Sequence, residues 1–223
     1  MVLVGAIKFI FMERCFNLKS AKPDKKLKRF LAEIKKELDN FFAFQIKEPT
    51  LFFANNRADF DLLFGRKTEQ WLVGVAKNNN IFMFDQKNYA KESSHQTKDF
   101  WQTLKHEYCH IYYSQITTGG NPLWLNEGVA CYLSGKKLII GENTKKKLLN
   151  IFDYFSQFPG DAYVPSQFWV ELLIKKYGAK RLVTLIKALN IKEQLTPSKF
   201  AKTFFEVYGL KFNKTEFTKL RGV

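Results

Sequence analysis

The segment from Leu104 to Ala130 constrains the fold of this chain more than any other. It opens with the pattern HEYCH, in which His106 and His110 are four residues apart and Glu107 follows the first of them. Residues four apart are neighbours on one face of an α-helix. The pattern therefore predicts a helix, which we extend from Asp99 to about Ile116.

This spacing of histidines is suited to a metal ion. On a helix the imidazoles of His106 and His110 can both point at one ion, and imidazole nitrogen is a common zinc ligand. Glu107 lies about 100° round the helix from His106, beside such an ion but not bound to it. HExxH on a helix is typical of metallopeptidases, in which the glutamate takes a proton from the attacking water. HExxH alone also occurs by chance in unrelated helices.

Glu127 is a candidate third metal ligand. It stands seventeen residues after His110, inside the apolar run LWLNEGVA, which predicts a second helix from Trp124 to Leu133. A carboxylate on such a face is costly to bury without a partner, and a metal ion removes that cost. Gly128 and Ala130 are small enough to let two helices approach closely around the ion.

HEYCH followed by WLNEGVA resembles the gluzincins, the zinc peptidases with two histidine ligands from HExxH and a glutamate ligand downstream. The resemblance is closest to their aminopeptidase-like branch. It implies a zincin-like fold, one catalytic zinc ion bound by His106, His110 and Glu127, and Glu107 as general base and acid. It also implies a peptide or protein substrate.

Two further segments resemble the same family. WLVGVA, residues 71–76, is similar to its substrate-lining edge strand, which implies that backbone groups of Gly74, Val75 and Ala76 pair with an extended peptide. An ordinary core strand is the competing interpretation. Tyr163 lies where a family tyrosine often stabilises the oxyanion, and a purely structural tyrosine is its competing interpretation.

The chain also departs from the aminopeptidase pattern. WLVGVA contains no acidic residue that would bind a free amino terminus, so endopeptidase or narrow oligopeptide activity is at least as well supported. Cys131 stands four residues after Glu127, where the family commonly has an aspartate that orients a ligand histidine. The end of the substrate that is attacked is therefore left open.

The order of the predicted elements favours an α+β fold. Strands are predicted at residues 2–11, 50–54, 71–76 and 81–85, the last two as a hairpin. Helices are predicted, apart from the two already given, at residues 24–42, 57–64, 144–157, 165–177, 179–190, 197–208 and 213–220. We expect a small mixed sheet packed on the HExxH helix, with a mainly helical C-terminal half.

We expect one domain over residues 1–223. Within it, residues 1–48 would form an N-terminal strand and helix, residues 49–135 the sheet and the zinc-binding helices, and residues 136–223 a helical subdomain. A hydrophobic fraction of 46% is sufficient for a real core.

The formal net charge of +15 raises the question of nucleic acid as a partner. The basic residues are mostly lysine, whereas arginine is the usual residue for bidentate contacts to phosphates and bases. Zinc-finger spacing is also absent. We therefore expect solvated lysine faces, and a basic nucleic-acid-binding protein with a structural metal ranks below the peptidase.

The N-terminal stretch and the cysteines bear on localisation. Residues 1–16 are interrupted by Lys8 and lack a positive n-region, so they predict neither a signal peptide nor a membrane span. The chain has three widely spaced cysteines, of which Cys109 and Cys131 read as apolar filler. We expect a cytoplasmic protein without a transmembrane segment. The sequence does not determine its oligomeric state.

One alternative uses the same fold without general peptidase activity. A zincin-like protein can be catalytically silent, or act on a single partner as a regulatory or binding module. The missing acidic residue in WLVGVA and the open role of Tyr163 keep this alternative in place.

Overall fold

The computed structural model describes residues 19–20, 24–191 and 193–222. Within these residues the chain forms a small mixed β-sheet. Its strands are β1 (Lys19–Ser20), β2 (Thr50–Ala54), β3 (Gly74–Lys77) and β4 (Asn80–Phe84). The order is β1-β2-β4-β3, with β2 parallel to β4 and both β1 and β3 antiparallel to their neighbours. The predicted mixed sheet is confirmed. The predicted strand at residues 2–11 lies outside the described residues.

Two asparagines form the turn of the hairpin between β3 and β4. Asn78 and Asn79 have φ angles of 50° and 60°, and Asn is one of the few residue types besides Gly that adopts this conformation at low cost. Two central residues with positive φ match the right-handed twist of the flanking strands. The predicted hairpin is confirmed, with Asn78 and Asn79 as the two residues between its strands.

The start of β3 differs from the prediction. Residues 71–73 were expected in the strand, yet the strand begins at Gly74. The Leu72 amide donates to Glu69 O at 3.0 Å, and the Leu72 carbonyl accepts from Arg57 at 2.8 Å. These bonds hold Leu72 in a turn, so the regular strand begins only after it, although Val73 O still accepts from the Phe84 amide.

The helices occupy most of the remaining chain. They are α1 (Lys25–Phe42), α2 (Arg57–Phe64), α3 (Phe100–Thr117), α4 (Leu123–Leu133), α5 (Glu142–Lys147), α6 (Tyr163–Tyr177), α7 (Ala179–Ala188), α8 (Pro197–Tyr208) and α9 (Lys214–Arg221). With the sheet formed early in the chain and helices after it, the predicted α+β class is confirmed.

Helix α1 is amphipathic, with one apolar stripe along its length. Asp24 Oδ1 accepts from the Leu27 amide at 2.7 Å and so caps the first turn. The stripe is buried along the helix, with Ile34, Leu38 and Phe42 all nearly inaccessible. Lysines and glutamates occupy the opposite face, as expected for an amphipathic helix.

The predicted helix 144–157 is wrong as a single element. Helix α5 ends at Lys147, and a 3-10 helix follows over Leu148–Asp153. The Leu148 carbonyl accepts a bond from the Trp169 indole at 2.6 Å, and the Tyr154 and Phe155 carbonyls accept from the first amides of α4. Backbone groups used in this way cannot continue an α-helix, and those two carbonyls satisfy amides that α4 leaves open at its start.

The described chain divides into two compact units. One contains the sheet and α2, with Lys47–Ile111 as its main segment; the other contains Glu33–Ile46 and the chain from Tyr112 onwards. The divisions fall inside α1 and α3. The predicted single domain with boundaries near residues 48 and 135 stays a prediction. No helix among the described residues is both long enough and apolar enough to cross a bilayer.

Gly128 allows close packing of α4 against α6. A Cβ at this position would lie 2.4 Å from Ser166 O and 2.7 Å from a methyl group of Val170. We expected Gly128 to let two helices approach closely around the ion; the helix that it admits is α6, which carries none of the three candidate ligands. The contacted Ser166 atoms belong to the backbone, so they cannot move aside independently of the helix.

We therefore expect Gly128→Ala to lower the free energy of unfolding by about 1–3 kcal/mol, the usual cost of overpacking. Urea or thermal unfolding of the purified variant measures this. Gly119→Ala is the matched control, because a Cβ there meets nothing within 4 Å, and its effect should stay within about 0.5 kcal/mol. Equal effects of the two substitutions would contradict the close contact.

Candidate metal centre

His106 and His110 lie on one face of α3, as their spacing predicts. Their Nε2 atoms are 3.0 Å apart, and the ring planes are nearly perpendicular at 88°. Both rings are half-buried. Two imidazoles with the same nitrogen turned to one point leave room for a shared ion on that face.

Glu127 completes the group. It lies in the middle of α4, and the ligand atoms of His106, His110 and Glu127 all lie within 4.8 Å of one another. Its Oε2 atom is buried. These are the three residues predicted as ligands, and they form the only such group found among the described residues.

The donor set fits a catalytic zinc ion. Zinc accepts histidine nitrogen and carboxylate oxygen, and catalytic sites commonly use three protein ligands and keep a fourth position open. Nitrogen ligands about 2.0–2.1 Å from one ion stand little more than 3 Å apart, which agrees with the 3.0 Å between the two Nε2 atoms. The group can therefore hold a metal ion, and its chemistry favours zinc over the hard cations that prefer oxygen alone.

Glu107 lies beside the histidines and against the sheet. Its side chain is buried, with 7% of its surface exposed. A Cβ built on Gly74 would meet Glu107 Oε1 at 2.9 Å, Cγ at 3.0 Å and Cδ at 3.2 Å. The carboxylate therefore lies directly over the Cα atom of Gly74, at the first residue of β3.

β3 is a terminal strand of the sheet within the described residues. The Phe84 amide donates to Val73 O at 3.4 Å, so the pair Val73/Phe84 is hydrogen-bonded. Such pairs alternate along an antiparallel ladder, which turns the backbone groups of Val75 towards β4. Gly74 and Ala76 then direct their amides and carbonyls away from β4, to the side of β3 on which no further strand lies among the described residues. Of the three residues predicted to bind peptide, only these two turn their backbone groups to that side.

Tyr163 begins α6. Its ring contacts Phe158 with centroids 4.9 Å apart, and the Lys136 ammonium lies over it at 4.9 Å. The ring is half-buried. Its predicted role at the oxyanion stays a prediction.

His95, Cys109 and Cys131 do not belong to the metal-binding group. His95 Nε2 lies 2.9 Å from Trp71 O. Cys109 and Cys131 are almost completely buried, in agreement with the predicted role as apolar filler.

Sequence reasoning missed Arg57. Its guanidinium donates to the carbonyls of Leu72 and Glu92 and to Thr68 Oγ1, and it lies 4.6 Å from the ring centre of Phe84. Burial lowers the pKa of Arg57, and nearby acidic groups oppose this shift. The arginine thereby holds the turn that leads into β3. Contacts between residues this far apart in the sequence leave no local pattern from which they could be predicted.

Tyr89 was also missed. It is fully buried, and its hydroxyl lies 2.5 Å from Thr103 Oγ1, one helical turn before Glu107. Burial raises the pKa of Tyr89 to about 12, against the opposing effect of the Thr103 hydrogen bond. The tyrosine is therefore neutral at physiological pH, and its hydroxyl joins the segment after β4 to Thr103 of α3.

We expect the purified protein to bind about one zinc ion per chain. Replacing His106, His110 or Glu127 by Ala should weaken binding by more than about 100-fold, since loss of an outer partner alone costs 10–100-fold. Metal analysis after dialysis and competitive titration with a chelator measure this. His95→Ala is the control and should bind normally. Retention of full affinity by all three ligand variants would disprove the assignment.

Comparisons with protein-family models, with curated proteins and with solved structures found no match for this chain. The candidate centre therefore rests on its own geometry: two imidazoles and a carboxylate around one point.

Proposed function

We propose that this protein is a zinc-dependent peptidase with a zincin-like fold. The observation that carries the proposal is the convergence of His106, His110 and Glu127, together with a second, buried carboxylate, Glu107, next to His106 on the histidine helix. Two histidines and a glutamate that bind, and a second glutamate that does not, are the parts that hydrolysis at a metal requires. The resemblance to the gluzincins supports the same assignment.

His106, His110 and Glu127 would hold the zinc ion. When bound, it supplies Lewis-acid activation of a water molecule and of the substrate carbonyl. Three protein ligands would leave a fourth coordination position for substrate or water, as in catalytic rather than structural zinc sites.

Glu107 acts in this proposal as general base and then as general acid. Its carboxylate accepts a proton from the attacking water and delivers it to the nitrogen of the leaving amine. Water is largely excluded from the Glu107 side chain, of which 7% is exposed. Electrostatic and proton-transfer effects are stronger in such a site than in bulk water.

The edge of β3 that faces away from β4 binds the substrate in this proposal. An extended peptide can add to the sheet through the outward amides and carbonyls of Gly74 and Ala76. Glu107 lies over Gly74, so a peptide on this edge passes beside the general base. This geometry favours an extended, unfolded segment as substrate over a folded surface.

The position of the cleaved bond within the peptide is inferred from the lack of an acidic residue in the segment 71–76. No acidic residue stands in WLVGVA to bind a free amino terminus, so we propose cleavage inside a chain or of a narrow set of oligopeptides. Tyr163 is proposed as the group that stabilises the oxyanion. A cytoplasmic setting is part of the same proposal, on the ground of the cysteine content.

The decisive test of the proposal is Glu107→Gln. We expect this variant to bind zinc normally and to lose at least about 10²–10⁴-fold in hydrolysis, the contribution of a positioned general base. Hydrolysis of a mixed library of unstructured peptides, followed by mass spectrometry, measures it. Glu142→Gln, at an exposed position, should keep full activity.

The same experiment separates the peptidase from a zincin-like binding module. A zinc-loaded wild-type protein that cleaves no peptide in a broad library would contradict general peptidase activity and favour a module that acts on one partner. Undiminished hydrolysis by Glu107→Gln would instead remove Glu107 from the mechanism.

A further inference from the structure

The absence of a side chain at position 74 has a specific geometric consequence. The three heavy atoms nearest to the place of a Cβ on Gly74 all belong to the Glu107 side chain, at 2.9–3.2 Å. Real Cβ atoms essentially never come within 3.0 Å of a non-bonded atom, so any other residue at this position collides with the carboxylate. Gly74 does not have a positive φ, so the backbone conformation itself does not require glycine.

The strand cannot retreat from the helix. Val73 O accepts the Phe84 amide, Leu72 O accepts from Arg57 at 2.8 Å, and Trp71 O lies 2.9 Å from His95 Nε2. On the adjacent strand, Met83 pairs with Gly74 and is fully buried. The segment that enters β3 is therefore held on successive carbonyls by three different partners.

We infer that Gly74 is a positioning residue for Glu107: the missing Cβ provides the space in which the carboxylate lies. The edge strand would then have two roles, one through its backbone towards substrate and one through its shape towards the general base. The catalytic consequence rests on the proposed function, whereas the contact itself does not.

An added methyl group at position 74 should move Glu107 rather than the strand. All three colliding atoms belong to a flexible side chain, while the strand is held as described above. Displacement of a reacting group by about 1 Å costs on the order of 10²-fold in rate. The fold and the metal ligands should tolerate the change.

The first measurement is kinetic. Gly74→Ala should bind zinc with unchanged affinity and lower kcat about 100-fold, with KM changed much less. In the Glu107→Ala background the same substitution should have no further effect on residual hydrolysis, because groups that act as a unit are non-additive. Gly160→Ala, where a Cβ meets nothing within 4 Å, is the matched glycine control and should keep full activity.

The second measurement needs no activity. With Glu107 present, Gly74→Ala should leave the midpoint of thermal unfolding unchanged or lower it, because the methyl group competes with the carboxylate. In the Glu107→Ala background the methyl group fills vacated space and reduces the entropy of the unfolded chain, so the midpoint should rise. The difference between the two backgrounds is the coupling of the two positions.

The outcomes are distinguishable. Equal stability effects of Gly74→Ala in both backgrounds would overturn the inference, and so would a kcat loss that persists in full without Glu107. Coupled stabilities in a protein that hydrolyses no peptide would support the positioning contact and overturn the proposed function instead.

Discussion

One turn of helix α3 must meet two demands that oppose each other. His106 and His110 have to stay accessible enough to bind an ion, and Glu107, between them in sequence, is buried. Burying a carboxylate is costly unless polar or charged groups compensate. Successive side chains on an α-helix are 100° apart. Glu107 therefore points towards β3, while the two histidines face another direction. The rest of the candidate site depends on this division of one helical turn.

Glycine makes the supporting contacts possible on two separate elements. At Gly74 the absent Cβ admits a carboxylate, and at Gly128 it admits the backbone of Ser166. The first contact involves a movable side chain and the second a rigid carbonyl, so the two glycines have different importance for stability. Gly128 lies next to Glu127, so the close contact of α4 with α6 is made directly beside the candidate ligand.

The parts of the structure that could be predicted are those determined within one element. The histidine pair, α2 up to its cap at Gly65, and α8 with its Thr196 cap depend on residues three or four apart, where sequence pattern and geometry coincide. Glu127 could be predicted because an acid in an apolar run is anomalous. The 3-10 segment after α5 and the late start of β3 could not, because each results from a backbone carbonyl bonded to a distant side chain, Trp169 in one case and Arg57 in the other.

The short length of β3 is itself an argument about function. An exposed strand edge is a liability, because it pairs with any extended chain, and proteins usually shorten it, twist it or place charge on it. Here Arg57 ends the strand at one side by holding Leu72 O, and the exposed Lys77 stands at the other, before the asparagine turn. Four residues remain, of which Gly74 and Ala76 direct their backbone groups outwards. In the proposed function, an edge this short would pair with only a few residues of an extended peptide at once, which limits the unspecific pairing that a longer exposed edge invites.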